Sequence, residues 1–406
     1  MIWRNTKAFW LRPGMRVKRY LALAVLGFLL AVLGAALVLP EPARGLLPAG
    51  TGLLLLAVGV LLLVEGVRRM NRSVLANFAD PDQVPRVVYN RRSLARGPRV
   101  VAFGGGTGLS RLLRGLKERT ANTTAVVAAT DDGGSTGRLR RDFEIPAVGD
   151  LVDCMAALSE ARLAPELMQF RFRRGKGLEG HTFGNLFLVT LYELTRDFAE
   201  AMRSANRLLA LLGWVWPSTY EPAELVAELE DGRTVRGESR IREAGGRVRR
   251  VELSRPEAAV MAEVEDAISR AELLVLGPGS LYTSIVASFL PAGVRERVKR
   301  SRAPLVQVVN LMTEPGETDG MDAFDHVRAV AEHLGRWPDV ALVHTGEIPK
   351  EVLDRYAAEG RFPVVYDPAP FAERGIRVIT DDFREEGELA QHDPKKLIRA
   401  LVRLRM

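Results

Sequence analysis

"VVAFGGGTGLSRLLRGL", residues 100–116, decides the fold. An unbroken apolar run ends in three successive glycines, and apolar positions three and four apart follow. That pattern is a buried strand, a turn without side chains and the first turns of a helix. Glycines at such a corner let the backbone approach a ligand closely, and a helix start offers unpaired N–H groups to an anion. Five more runs have the same strand character, at 124–130, 272–277, 304–310, 340–345 and 363–367. They are continuous rather than alternating, as strands covered on both faces of a parallel sheet must be. Helical stretches at 109–119, 184–212 and 323–334 separate them. The expected fold is therefore α/β, a Rossmann-like doubly wound and mostly parallel sheet. Residues 225–253 differ: period-two alternation with turns at Asp231-Gly232 and Gly245-Gly246 predicts a small antiparallel insert of hairpins over about 222–256.

The chain ahead of this domain has another chemistry. Residues 21–39 and 46–64 run without a charge, each near the ~20 residues that cross a bilayer. Two such runs in series, with no polar face, predict a transmembrane hairpin of helices over about 20–40 and 46–64, within an anchor of residues 1–72. Six Lys/Arg and no acid precede Tyr20, and Arg68, Arg69 and Arg72 follow the second run. The positive-inside rule then puts the N-terminus and everything after about residue 66 in the cytoplasm and residues 40–45 outside, with Trp3, Trp10 and Tyr20 at the interface. Residues 73–97 read as a linker, and 98–401 as the domain. The overall net charge of +7 is concentrated in residues 1–100, where 15 Lys/Arg face 4 Asp/Glu. The large domain is net acidic, so the basic pI of 9.7 points to lipid headgroups and excludes nucleic acid as a partner. The single Cys154 cannot form an internal disulfide and reads as a small buried hydrophobe.

Four stretches carry the candidate site. Gly104, Gly105, Gly106, Thr107 and Gly108 fit neither regular phosphate motif: Leu109 stands where G-x-G-x-x-G needs its last glycine, and no GK pair follows for a P-loop. The physics of a strand–glycine–helix corner survives, and it suits a phosphate or pyrophosphate, against the plainer reading of close helix–strand packing. At the end of the second strand, Asp131 and Asp132 offer either a ribose-hydroxyl acceptor or a pair for a divalent cation, and Gly133, Gly134 and Ser135 continue the loop. His181 and Asn185, four apart, share a helix face. No second histidine stands at metal-ligand spacing, so no zinc site is expected. Gly277, Gly279 and Ser280 repeat the first corner, and Asn310 and Thr313 add a third. The basic run 295–302 reads as a solvated helix end.

These motifs, "FGGGTGL", "DDGGSTGRLR", "GHTFGN", "GPGSLYTS", "NLMTEPGET" and "HDPKKL", stand in the order found in the gluconeogenesis factor (YvcK-like) family, which is related to the CofD-like 2-phospho-L-lactate transferases. The resemblance covers about residues 98–401. It implies a cytoplasmic Rossmann-like domain that binds a UDP-sugar, UDP-N-acetylglucosamine in particular, with a role in cell shape, cell-wall synthesis and growth on gluconeogenic carbon. Its implied partners are that ligand, a second copy of the chain and cell-wall synthesis proteins. The sequence departs from the family at "PAVGDLVDC": Gly149 and Asp150 are kept, whereas Val152 and Asp153 stand where the family has Arg and Asn. The hairpin is a further addition.

The leading expectation is a membrane-tethered, regulatory UDP-sugar-binding protein at the cell membrane, multi-pass, with its large domain cytoplasmic. The alternative is a transferase in which Asp131, Asp132 and Mg²⁺ neutralise phosphate during attack by an acceptor hydroxyl, His181 being the sole candidate base. Mg²⁺ enters only with that alternative, and no other cofactor is implied. No Lys or Arg stands out in the sequence as dedicated to a leaving phosphate. A nicotinamide-dependent oxidoreductase rests on the Rossmann-like start alone.

Overall fold

The computed structural model describes residues 17–38, 49–75 and 92–404 and divides into two compact units, Met1–Arg92 and Ser93–Met406. The expected loop at 40–45, Trp3, Trp10 and most of the expected linker lie outside the described residues. In the first unit, helices Val17–Val38 and Ala49–Leu75 run antiparallel. Both are long and apolar enough to cross a membrane, over Arg19–Val38 and Gly50–Asn71. The second extends well past the expected boundary at 64. Glycines make the contact between them. A Cβ on Gly27 would lie 2.3 Å from the Leu63 nitrogen, and one on Gly59 equally close to the nitrogen of Ala31. Such small residues let helix backbones touch, leaving Leu54 and Leu61 on the outside.

The second unit is built on a seven-stranded sheet of β1 (Val100–Gly104), β2 (Thr123–Val127), β3 (Trp214–Pro217), β7 (Leu273–Leu276), β8 (Leu305–Val308), β9 (Val340–His344) and β10 (Arg377–Asp381). Every pairing is parallel, and the order is β10-β9-β8-β7-β1-β2-β3. From β1 the chain winds outward to β2 and β3, then returns to β7 on the other side of β1 and winds the opposite way. The β1–β7 seam is thus the topological switch point, where open α/β sheets bind ligands at the carboxyl ends of their strands. Strands β1, β2, β7 and β8 are buried along their whole length, as their apolar runs require.

Three expectations need correction. Residues 363–367 form no strand: the segment runs extended beside Leu311–Thr313, and the edge place goes to β10, whose half-exposed "RVITD" carries charges at both ends. The helical stretch 184–212 is two helices, Phe183–Thr195 and Phe198–Leu208. Arg196 turns left-handed at φ 54°, and Asp197 caps the second by accepting from the Ala199 and Glu200 amides. The insert is a three-stranded sheet in the order β5-β4-β6, with β4 (Leu225–Leu229), β5 (Thr234–Arg236) and β6 (Val248–Leu253). Only Asp231-Gly232 closes a hairpin. A short helix, Glu238–Glu243, fills the second connection, so β6 pairs with β4 rather than with β5. The helix Ala323–Leu334 has the expected bounds, fixed by a reciprocal cap between Asp322 and Asp325 and by Gly335.

Candidate functional site

The glycine corners of β1 and β7 touch across the seam. A Cβ on Gly108 would stand 2.4 Å from the Pro278 carbonyl oxygen, so only glycine permits that approach. Gly106, at φ 45°, opens the helix Gly106–Leu116, and Gly277 turns at φ 80°. After β7 the chain makes a π-helical turn, Leu281–Val286, rather than a regular helix. The β8 corner closes the third side. Together the three corners bound a cavity of about 420 Å³ whose lining includes Gly105, Gly106, Thr107, Gly108, Asp131, Asp150, Gly279, Ser280, Asn310 and Thr313. A second hollow of about 440 Å³, lined by Gly133, Gly134, Ser135, Asn185 and Arg171, shares Asp131, Asp150 and Asp153 with the first. The predicted residues therefore fall around two adjoining spaces.

Four of them lie behind the walls. Gly104 and Gly277 form the turns without lining either space. Asp132 faces the insert, where its Oδ1 accepts from the Ser239 amide (2.9 Å) and hydroxyl (2.7 Å). His181 is buried, its Nδ1 2.8 Å from Ser135 Oγ, and Asn185 Nδ2 donates to the same hydroxyl at 3.2 Å. Burial, with Arg138 nearby, holds the His181 imidazole below its usual pKa, so it is neutral around pH 7 and fixes the Ser135 loop.

Asp150 takes the most consequential position. Its carboxylate lies against the glycine corner: a Cβ on Gly105 would sit 2.3 Å from Oδ2, and the Gly106 N–H donates to it. Burial, together with the charges of Asp131 and Asp153, raises its pKa to about 7. Asp131 Oδ1 in turn accepts from the Gly133 amide at 3.0 Å. Among the described residues no group of three or more His, Cys, Asp or Glu side chains is arranged to hold a metal ion.

Sequence reasoning missed the cationic wall. Arg111, Arg242 and Arg361 all line the first cavity. Arg111 on the helix Gly106–Leu116 pairs with Glu385 and Gln391, while its buried Nε has no partner among the described residues. Arg242 comes from the insert helix, pairs with Glu238 four residues earlier, and reaches Glu317 at 3.7 Å. Glu317 is fully buried and accepts from the Thr283 hydroxyl at 2.8 Å, tying the β7 and β8 corners together. Burial pushes the carboxyls of both Glu238 and Glu317 upward in pKa. His392, of the "HDPKKL" motif, is buried at the cavity with its Nε2 3.2 Å from the Val309 carbonyl oxygen, and burial lowers its pKa to about 4. Only the i, i+4 spacing of Glu238 and Arg242 hinted at the insert's part, and it shows on a helix but not on the hairpin expected there.

The sequence profile of the 2-phospho-L-lactate transferase CofD family matches residues 100–384. A Deinococcus radiodurans protein classed with the gluconeogenesis factors is 48% identical over 80% of this chain and 69% of its own. A Clostridium acetobutylicum protein of the same class is 32% identical over 97% of this chain and 90% of its own, so the likeness reaches into the apolar helices. A crystal structure of a Bacillus halodurans protein of the UPF0052 family superposes with a TM-score of 0.73 at 41% identity, over 76% of this chain and 99% of that one.

Proposed function

The chain belongs to the CofD family and, within it, groups with the gluconeogenesis factors; from that premise we propose that it is a membrane-tethered regulatory protein that binds a UDP-sugar, UDP-N-acetylglucosamine first among them, in its cytoplasmic domain. The observation that carries this reading is the meeting of three main-chain corners around one cavity at the switch point of the sheet. The helix-start amides of the β1 corner suit a diphosphate, and Arg111, Arg242 and Arg361 supply the opposing charge. Asn310, Thr313 and Ser280 are the hydroxyl and amide groups that a sugar or uridine requires. The two apolar helices support the tether, and through it a role beside the membrane steps of cell-wall synthesis and in cell shape.

Titration calorimetry on the full chain in detergent micelles tests the reading, with UDP-N-acetylglucosamine, a GDP-sugar and a nicotinamide dinucleotide compared with and without Mg²⁺. Saturable heat is expected with the UDP-sugar, weakened at least about tenfold in Gly105→Ala, whose Cβ would drive Asp150 out of place. Absence of heat with every UDP-sugar overturns it.

One observation favours a second reading, phospho-group transfer: the carboxylates Asp131, Asp150 and Asp153 stand between the two hollows. Asp150, with a pKa of about 7, is suited to take the proton of an acceptor hydroxyl held in the second hollow. A divalent cation there would be held by ligand phosphate oxygens with one or two of these carboxylates. Phosphorus NMR of a phosphorylated donor with Mg²⁺ decides: turnover that disappears in Asp150→Asn while binding persists supports transfer, and no turnover with any acceptor removes it.

A further inference from the structure

The amino-terminal edge of the sheet lies opposite the cavity, and the binding reading makes no use of it. The chain comes into the domain there. Ala121 N donates to the Leu94 carbonyl (2.9 Å), Asn122 Nδ2 to those of Ala95 (3.0 Å) and Gly97 (2.6 Å), and Thr120 Oγ1 to that of Pro98 (2.8 Å). Residues 94–98 are thus pinned along 120–122, immediately before β1 begins.

On one side of this segment runs the stretch 207–214, "RLLALLGW", from the last turn of the helix Phe198–Leu208 to the first residue of β3. Leu208 is 66% exposed and Trp214 46% exposed. The indole of Trp214 is held by stacking on buried Trp216, centroids 5.6 Å apart and planes within 6°. It is a rigid apolar projection. The register Thr124 to Trp214 sets it at the same sheet edge, and a hollow of about 360 Å³ is lined jointly by Arg99, Asn122, Arg207 and Trp214, together with Glu263 and Asp266, which Arg203 and Arg270 neutralise. On the other side, a side chain at Gly97 would collide with Thr120 and the Arg119 carbonyl, at 2.6 and 2.8 Å. Arg119 in turn shares a hollow of about 390 Å³ with Lys395, Arg399 and Arg403, and these four cations outnumber the one carboxylate in its lining, Glu118. Among the described residues none of Arg119, Lys395, Arg399, Arg403 and Arg207 has a carboxylate within ion-pair distance, so their charges are left to solvent or a ligand.

We propose that this edge docks on an anionic lipid surface. Trp214 and Leu208 enter the interfacial layer, where amphipathic aromatic rings are favoured, while Arg119, Arg207, Arg399 and Arg403 meet headgroup phosphates. Three independent features converge on that occupant: the site where the chain arrives from the apolar helices, the exposed Trp–Leu loop, and basic side chains left without protein partners. The docked orientation points the ligand cavity away from the bilayer, open to soluble metabolites. The proposal rests on the tether in the proposed function and adds a second contact to it.

The full chain reconstituted in phosphatidylglycerol-containing vesicles provides the test. A fluorophore on Trp214→Cys is compared with one on Glu386→Cys, which is exposed beyond the opposite end of β10; Cys154 is buried, and the unsubstituted chain sets the labelling background. Lipid spin-labelled near the headgroup should quench position 214 at least about threefold more than position 386, and Arg399→Glu with Arg403→Glu should halve the difference, roughly as phosphatidylcholine alone does. Equal quenching at the two positions, in protein that floats with the vesicles, overturns the docking and leaves the tether standing. A full chain that does not float overturns the tether, and the docking falls with it. Quenching at 214 indifferent to lipid charge and to the double substitution overturns the role given to the arginines.

Discussion

Asp150 concentrates the electrostatic problem of the site in one carboxyl. It lies against Gly105 and Gly106, where its own charge would oppose the anionic ligand proposed above. With a pKa raised to about 7, it is neutral below neutrality and charged above. Affinity for a UDP-sugar, whose diphosphate does not titrate in this range, should therefore fall as the pH rises from 6 to 8.5, and Asp150→Asn should flatten the profile. Stability follows the same sign. A folded-state pKa above the unfolded one means stabilisation fully present below about pH 4 and lost progressively as the pH rises through about 7, so Asp150→Asn should gain about 1–2 kcal/mol at pH 8 and close to nothing at pH 4. The opposing limb belongs to His392, held neutral by burial with a pKa of about 4. Its stabilising neutral form is lost as the pH falls from 6.5 through 4. Denaturant midpoints across pH check both limbs; an Asp150→Asn profile that keeps the wild-type slope between about pH 4 and 7 refutes the assignment.

At the scale of elements, the insert completes the cavity. Its helix Glu238–Glu243 brings Arg242 to the β7 and β8 corners, and Asp132 holds that helix by accepting two hydrogen bonds from Ser239. Asp132→Ala should cost about 1–2 kcal/mol and weaken ligand binding through misplacement of Arg242. Because that loss is mechanical, the dependence of binding on Mg²⁺ should stay as in the parent chain. A variant whose only change is in Mg²⁺ dependence would instead show that Asp132 works on the cation. This contact also marks the limit of what the sequence made legible. Asp132 was visible as a chemical residue, but its direction depends on an insert helix that alternation and two turn dipeptides had disguised as hairpins. The corners were legible because each is local: a buried apolar run followed at once by glycine. β3 and β10 were not, being edge strands whose Trp214, Arg377 and Thr380 are exposed, so that no continuous buried run announces them. Val152 and Asp153, known in the sequence as departures from the family pattern, took on meaning only in three dimensions. Asp153 joins the wall between the two hollows, while Val152 packs against Gly184, where a Cβ would stand 2.3 Å from its methyl carbon.

Across the whole molecule, the apolar helices and the cavity are separable in the chain. Every residue lining the cavity falls between Gly105 and His392, inside the second unit, and the helices of the first unit make their close backbone contacts with each other. The Bacillus halodurans structure is matched over 99% of its length by 76% of this chain, so a fold of this kind is complete without the apolar helices. A chain beginning at Arg92 should accordingly fold, unfold in one cooperative transition and bind the same nucleotide sugar within about twofold of the full chain, since no binding group has been removed. What should change is location: fractionation should move the shortened protein out of the membrane pellet at high salt, where screening removes contacts made through Arg119, Arg207, Arg399 and Arg403. At low salt, with anionic vesicles, part of it should remain bound through that edge alone. Calorimetry and vesicle sedimentation on the two chains side by side separate the outcomes. If the shortened chain loses ligand affinity more than about tenfold while its thermal transition is unchanged, the apolar helices take part in the binding site and the division of labour argued here is wrong.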